Sequence, residues 1–257
     1  MPLEVKDGKE NKNTVMDNSA LIQVEVVPSK FLPYPKGSKI HFKSYTYGEI
    51  SKMSQSKVSS SKKIDMALKG IDTTGFNVED LSYFDLQYIS LLRRGSTFST
   101  SDFSMKYTCR GKEVKKCGFE NFEILPLTRF EFLDLKFPKL PITVKFSKKT
   151  VKFHAFTVRD YKFLEEQGKA GDPIAVLAKQ TNIDPFEEAY GFIYEITGTD
   201  LRWLKKVDAM LNHGLKPFKL ECRECKQINY RGVGEGDVII MPFCKPEDTH
   251  GDVLSFG

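Results

Sequence analysis

Four cysteines in two remote pairs constrain this chain more than any other feature. Cys109 and Cys117 form the first pair, and Cys222 and Cys225 the second. Each pair follows a stretch with strand character and leads into another. Cys117-Gly118-Phe119-Glu120-Asn121-Phe122-Glu123-Ile124 answers the first, and Cys225-Lys226-Gln227-Ile228-Asn229-Tyr230 the second. Thiolates carried on two strand-flanked turns are what a tetrahedral zinc site requires to join two hairpins. Cys109, Cys117, Cys222 and Cys225 are therefore candidate ligands of one structural Zn2+, in a small β-ribbon whose halves are separated by a long insertion. Cys222-Arg223-Glu224-Cys225 has the two-residue gap of a metal knuckle. The seven residues between Cys109 and Cys117 exceed the usual two to four, so Arg110 to Lys116 would bulge out as a basic loop. Two other readings stay open, unbound thiols left on a degenerate ribbon and a redox pair. A redox Cys-x-x-Cys belongs at a helix N-terminus, where the dipole lowers the thiol pKa, and here strands flank it. Cys244, alone after Pro242-Phe243, reads as an ordinary thiol.

A chain of 257 residues can bury a substantial core in one large or two modest domains. Five cysteines are too few for a disulfide scaffold, and the odd count with a Cys-x-x-Cys favours metal in a reducing compartment. The net charge of +5 is compatible with an acidic protein or with nucleic acid and does not choose between them. No apolar run approaches the roughly 18 residues of a membrane span. The segment Met1-Pro2-Leu3-Glu4-Val5-Lys6-Asp7 lacks the layout of a secretory signal.

The pattern along the chain predicts an α+β fold. Residues 1–18 are polar, without periodicity, and read as a disordered arm. An N-terminal strand/helix module is expected over 19–102. Strands are expected at 20–27 and 39–45, and a capping box, Thr46-x-x-Glu49, should start a helix. Ile64, Ala67, Leu68 and Ile71 follow at helical spacing. A further helix is expected from Ser82, with Leu86, Ile89 and Leu92 on one face and Gly95 as its stop. The remainder, 103–257, is expected to be a zinc-ribbon-like β module with a helical insertion at 157–214. Its strands are read at 103–108, 119–125, 130–135, 142–146, 151–156, 218–221 and 237–243. Within the insertion, Thr157-x-x-Asp160 is a capping signal. Asp172-Pro173 and Asp184-Pro185 each place an acid at the N-cap before a proline at N1. Thr199 opens the most regular helix, with Leu201, Leu204, Val207, Met210 and Leu211 apolar and Gly214 just beyond its end.

Other chemistry is thin. His41, His154, His213 and His250 are scattered and fit no metal or general-base motif. Gly232, Gly234 and Gly236 lack the Lys-Ser/Thr of a phosphate loop and read as a hairpin turn. Adjacent acids at Glu165-Glu166 and Glu187-Glu188 point apart on a helix and read as solvated faces. Four thiolates leave no coordination position for water, so hydrolysis at the metal is not expected. Basic clusters at 52–63, 110–116 and 145–152 make nucleic acid the second choice of partner, because a zinc-ribbon regulator would need phosphate contacts. The abundant aromatics are explained by core packing at alternating positions.

Short words in the chain resemble the T4-type tailed-phage baseplate proteins. They are Pro28-Ser29-Lys30-Phe31-Leu32-Pro33-Tyr34, then Tyr45-Thr46-Tyr47-Gly48-Glu49-Ile50, and then Cys117-Gly118-Phe119-Glu120-Asn121 running on to Leu127. Their order, and the strands and helices that follow, are similar in layout over most of residues 20–243. The resemblance implies a non-enzymatic protein of the central baseplate hub, or a factor needed to assemble it. Its partners would be other tail and hub proteins, and its location the virion baseplate or the host cytoplasm during assembly. The widened first cysteine gap departs from the tight pair of that family.

Overall fold

The structure is a computed structural model that describes residues 20–53, 59–98, 102–109, 117–126, 130–133, 135, 139–216, 218–231 and 254–255. The arm at 1–18, the loop at 110–116, the Gly232–Gly236 turn, the strand expected at 237–243, Cys244 and His250 lie outside the described residues. What is described combines helices with four small sheets, an α+β architecture. No helix among the described residues is long and apolar enough to cross a membrane.

The first sheet has the order β1-β2-β3, with β1 at Ile22–Gln23, β2 at Lys39–Phe42 and β3 at Ile71–Thr74, all antiparallel. Ile40 and Phe42 alternate inward from β2, as a half-buried strand requires. Thr46 starts α1 (Tyr47–Met53) as expected: its backbone N–H donates to Glu49 Oε2 at 2.7 Å, and its Oγ1 accepts from the Glu49 N–H at 3.2 Å. Helix α2 spans Ser60–Lys69 and ends at Gly70. Ile71 therefore belongs to β3 rather than to the helix. Its place at helical spacing from Ile64, Ala67 and Leu68 could not reveal that the chain turns at Gly70.

A 3-10 turn at Val78–Asp80 leads into α3, Tyr83–Phe98. Gly95 lies inside α3 and does not stop it, which corrects the expectation. An interior glycine costs a helix only about 1 kcal/mol, and the buried Leu86, Ile89 and Leu91 side chains outweigh that. The 82–83 and 157–158 entries to α3 and α4 (Val158–Glu166) are laced together. Tyr83 N–H donates to Phe156 O at 2.9 Å, and Val158 N–H to Leu81 O at 2.9 Å. Thr157 and Asp160 form the anticipated reciprocal cap. One core accordingly joins Val24 and Val27, which follow β1, with β2, β3, α2 and α3 to Phe156, Val158, Tyr161, Leu164 and Ala175.

A second core lies between the β6–β7 hairpin (Ile142–Lys145, Thr150–Phe153) and helices α5 (Pro173–Lys179), α6 (Phe186–Tyr194) and α7 (Gly198–Leu211). Asp172 caps α5 (Pro173–Lys179) by accepting from Ile174 N–H at 2.9 Å, and its other oxygen accepts from Tyr190 Oη at 2.8 Å. That second bond fastens α5 to α6 (Phe186–Tyr194). At α6 the N-cap is Pro185 itself, extended at ψ 170, so the helix starts one residue later than the Asp-Pro pattern suggests. Helix α7 spans Gly198–Leu211 and buries Leu204, Val207 and Leu211, while Leu201 stays partly exposed.

Two further hairpins carry the cysteines. Strands β4 (Asp102–Thr108) and β5 (Glu120–Pro126) pair antiparallel, and β10 (Leu254–Ser255) joins β4 in parallel. Strands β8 (Phe218–Glu221) and β9 (Ile228–Arg231) form the other hairpin. Within the strand expected at 130–135, residues 131–133 make instead a short crossing with residues 214–216. Lys216 N–H donates to Glu131 O at 2.7 Å, Leu133 N–H to Gly214 O at 2.9 Å, and Phe132 bridges Leu215. A salt link of 2.7 Å between Lys216 Nζ and Glu131 closes it. This crossing follows β5 by a few residues and precedes β8 by even fewer. It brings the roots of both hairpins to one place.

Candidate metal centre

Each cysteine turn is built the same way from its backbone. In the first, Cys109 N–H donates to Phe119 O at 2.9 Å and Gly118 N–H returns to Cys109 O at 3.1 Å. In the second, Cys222 N–H donates to Gln227 O and Lys226 N–H to Cys222 O, both at 2.9 Å. The residue after the second cysteine is left-handed in both turns: Gly118 at φ +67 and Lys226 at φ +59. Glycine adopts that conformation freely, whereas a lysine there is strained and persists because its surroundings fix it. The wide Cys109–Cys117 gap therefore leaves the local turn geometry intact.

Because the crossing sets the two hairpins side by side, the four sulfurs meet. All four Sγ atoms lie within 4.8 Å of one another. Cys109 Sγ is 3.6 Å from Cys225 Sγ, and Cys117 Sγ is 3.9 Å from Cys222 Sγ, so each close pair takes one thiol from each turn. Four sulfurs at about 2.3 Å from one ion sit about 3.8 Å apart along the edges of a tetrahedron. The donor set and spacing fit a single tetrahedral metal ion. Burial is graded, from Cys109 and Cys222 inside to Cys225 at the surface.

The environment prepares the thiols unequally. Burial pushes the Cys222 thiol up, but the backbone N–H groups of Cys225 and Glu224 and the Asn121 amide outweigh it and bring the thiol down to about 6. Cys225 moves the other way. The Gln227 N–H favours its thiolate, but burial and the three neighbouring thiols push it up to about 12. One thiolate forms readily and opposes the next. A divalent cation removes that opposition, because each further thiolate is then attracted to the ion.

Two residues next to the cysteines hold the second turn against the first hairpin. Asn121, on β5 and 1% exposed, accepts from Arg223 N–H at 2.9 Å and donates from Nδ2 to Cys222 Sγ at 3.4 Å. Arg223 Nη2 donates to Phe122 O at 2.7 Å.

Sequence reasoning missed a second polar constellation, which lies in the core. Asp85, His213 and Ser82 are all fully buried. Asp85 accepts from Ser29 N–H at 3.0 Å, from Ser29 Oγ, and from Tyr34 Oη at 2.6 Å, and Tyr34 Oη in turn accepts from Ser82 N–H at 2.9 Å. His213 Nδ1 is 2.7 Å from Leu211 O, so that nitrogen carries the proton, and Nε2 accepts from Ser82 Oγ at 2.8 Å. Asp85 lies 3.9 Å from the same Nε2. Hydroxyl and carboxylate thus lie nearest the same ring nitrogen, which bonds only the hydroxyl of the two. In a nucleophilic triad they face opposite nitrogens. The network ties the Ser29–Tyr34 turn, the start of α3 and the exit of α7 together. No sequence signal marks it, since Ser82 and His213 are 131 residues apart.

Burial holds His213 below its ordinary pKa, with Asp85 pulling back, while burial raises Asp85. A depressed histidine contributes stability in full above about pH 6.5, its unfolded value, and loses it as pH falls towards the folded value. Chemical denaturation should show stability falling below pH 6.5 by at most about 1.4 kcal/mol per pH unit, one proton's worth. His213→Asn should remove that slope. Asp85 acts with the opposite sign, costing stability as pH rises from its unfolded value through its raised one, and Asp85→Asn separates the two.

Compared with protein-family models, curated proteins and solved structures, the chain matches none.

Proposed function

We propose that Cys109, Cys117, Cys222 and Cys225 hold one structural Zn2+ as a ribbon-like staple. On this reading the chain is a non-catalytic scaffold that binds other proteins. The observation that carries it is the meeting of four sulfurs, drawn from two distant turns, within 4.8 Å. An all-thiolate set favours a soft or borderline ion, and tetrahedral S4 geometry suits zinc. Four protein ligands close the coordination sphere, so the ion's contribution is rigidity, joining two short hairpins that are remote in sequence.

The setting we propose is the baseplate hub of a contractile phage tail, as a hub component or as an assembly factor. The resemblance of short sequence words, and of their order, to T4-type baseplate proteins supports it. The alternative of a nucleic-acid-binding ribbon draws less support. In the basic 145–152 hairpin, Lys149 pairs with Glu188 at 2.7 Å and Lys148 with Glu195 at 3.5 Å, which offsets charge that phosphates would need. Mass spectrometry of gradient-fractionated contractile-tail intermediates should find the chain with the hub. Short DNA and RNA should show no salt-dependent shift. A shift weakening steeply with salt, with the chain absent from hub fractions, would reverse the choice.

A further inference from the structure

We infer that Asn121 is a positioning residue of the metal centre: it orients Cys222 and donates a hydrogen bond to its thiolate. The inference rests on the four-cysteine metal reading above. Asn121 sits on β5 opposite Tyr107, in the hairpin that carries Cys109 and Cys117, yet its side chain serves the other turn. Its Oδ1 accepts from Arg223 N–H at 2.9 Å. Its Nδ2 donates to Cys222 Sγ at 3.4 Å and to Phe119 O at 3.1 Å. All three bonds lie in a side chain that is almost completely buried.

The chemistry of a thiolate site explains why an amide stands there. Four thiolates around a divalent ion leave two surplus negative charges, and a buried sulfur has no water to share them. An N–H donor on Cys222 takes up part of that charge and fixes the direction of the Sγ lone pairs. A carboxylate at 121 would preserve the acceptor for Arg223 but repel the sulfur, and an apolar residue would leave Arg223 N–H without its acceptor. Only an amide satisfies both turns at once. Groups just outside the ligand shell that orient the ligands are typically worth about 10–100-fold in metal affinity.

The test uses the full chain loaded with Co(II) alone, titrated against a chelator, with wild type and Asn121→Asp compared. Asp keeps the shape and the oxygen that serves Arg223, and replaces the N–H donors with a carboxylate oxygen that faces the Cys222 sulfur. The expected result is about a 10–100-fold loss of Co(II) affinity, with a shift in the sulfur-to-cobalt charge-transfer band and faster alkylation of Cys222. Should the variant fail to fold, wild-type protein loaded with 113Cd decides the matter. The inference expects a through-bond 1H–113Cd correlation to the Asn121 side-chain amide. Metal affinity within twofold of wild type in a folded Asn121→Asp, or no such correlation in wild type, overturns the role of Asn121 and leaves the metal site standing. A wild type that takes up no Co(II) overturns both.

Discussion

Cys222→Ser is expected to empty the metal site and lower stability by on the order of 4–5 kcal/mol, the scale on which losing a structural metal stands out among point mutations. In a chain of this size that corresponds to a fall in Tm of roughly 8–20 °C. Cys222 is fully buried, it faces Cys117 across the two turns at 3.9 Å, and its sulfur receives the Asn121 amide. A serine hydroxyl does not ionise at neutral pH and leaves three thiolates facing a solvent-filled fourth position. The free energy of metal binding is folding free energy for whatever the metal organises. Here that is two hairpins rooted at the 131–133 and 214–216 crossing. Amide hydrogen exchange should therefore accelerate together in β4–β5 and β8–β9, although only β8–β9 adjoins the substitution in sequence. A variant with wild-type metal content and melting would mean that the sulfurs do not share an ion.

Gly70→Ala should destabilise the core around α2 and α3 by about 3–5 kcal/mol, and it does so without touching any cysteine. A Cβ at position 70 would lie 1.9 Å from Arg93 Nη2 and 2.4 Å from its Cζ. Flexible side chains usually evade such a contact, but this guanidinium is anchored. Arg93 is fully buried, its Nε donates to Lys43 O at 2.7 Å, its Nη1 donates to Ala67 O, and its plane stacks 3.7 Å over Tyr45. Moving it strands a buried cation, and the cost follows from the lost partners more than from the extra methyl. Thermal melting checks this, with Gly70→Ala expected roughly 6–20 °C below wild type. An unchanged Tm would show that the guanidinium has room to move.

The parts of this fold legible in the sequence are those whose cause is local. Thr46 with Glu49 and Thr157 with Asp160 announce helices through bonds made within one turn, and both caps form. Asp172 ahead of Pro173 works for the same reason. Where tertiary contacts decide, the local pattern misleads. Ile71 fits a helical stripe until Gly70 turns the chain, and Gly70 is small because Arg93 arrives from α3. Gly95 looks like a stop but lies within α3. Residues 130–135 have the composition of a strand, yet 131–133 make a short crossing with 214–216 and Leu135 N–H donates instead to Pro28 O at 3.2 Å.

The cysteine cluster was legible because paired thiols on strand-flanked turns have few uses besides holding a metal, so residue type selected the partners. The wide Cys109–Cys117 spacing argued against it, yet a left-handed Gly118 closes the first turn as Lys226 closes the second. The Ser82–Asp85–His213 network was not legible. Serine, aspartate and histidine are common on surfaces, and nothing local distinguishes a buried set assembled from three parts of the chain.

Metal analysis of the purified chain, alone and with each of the four cysteines changed singly to serine, bears most directly on the claim of a single thiolate staple. One zinc per chain is expected, together with loss of stoichiometric binding in all four variants, Cys109→Ser and Cys117→Ser as fully as the other two. Retention of zinc after removal of either sulfur of the first turn, or none in the parent protein, would contradict a shared ion across the two hairpins.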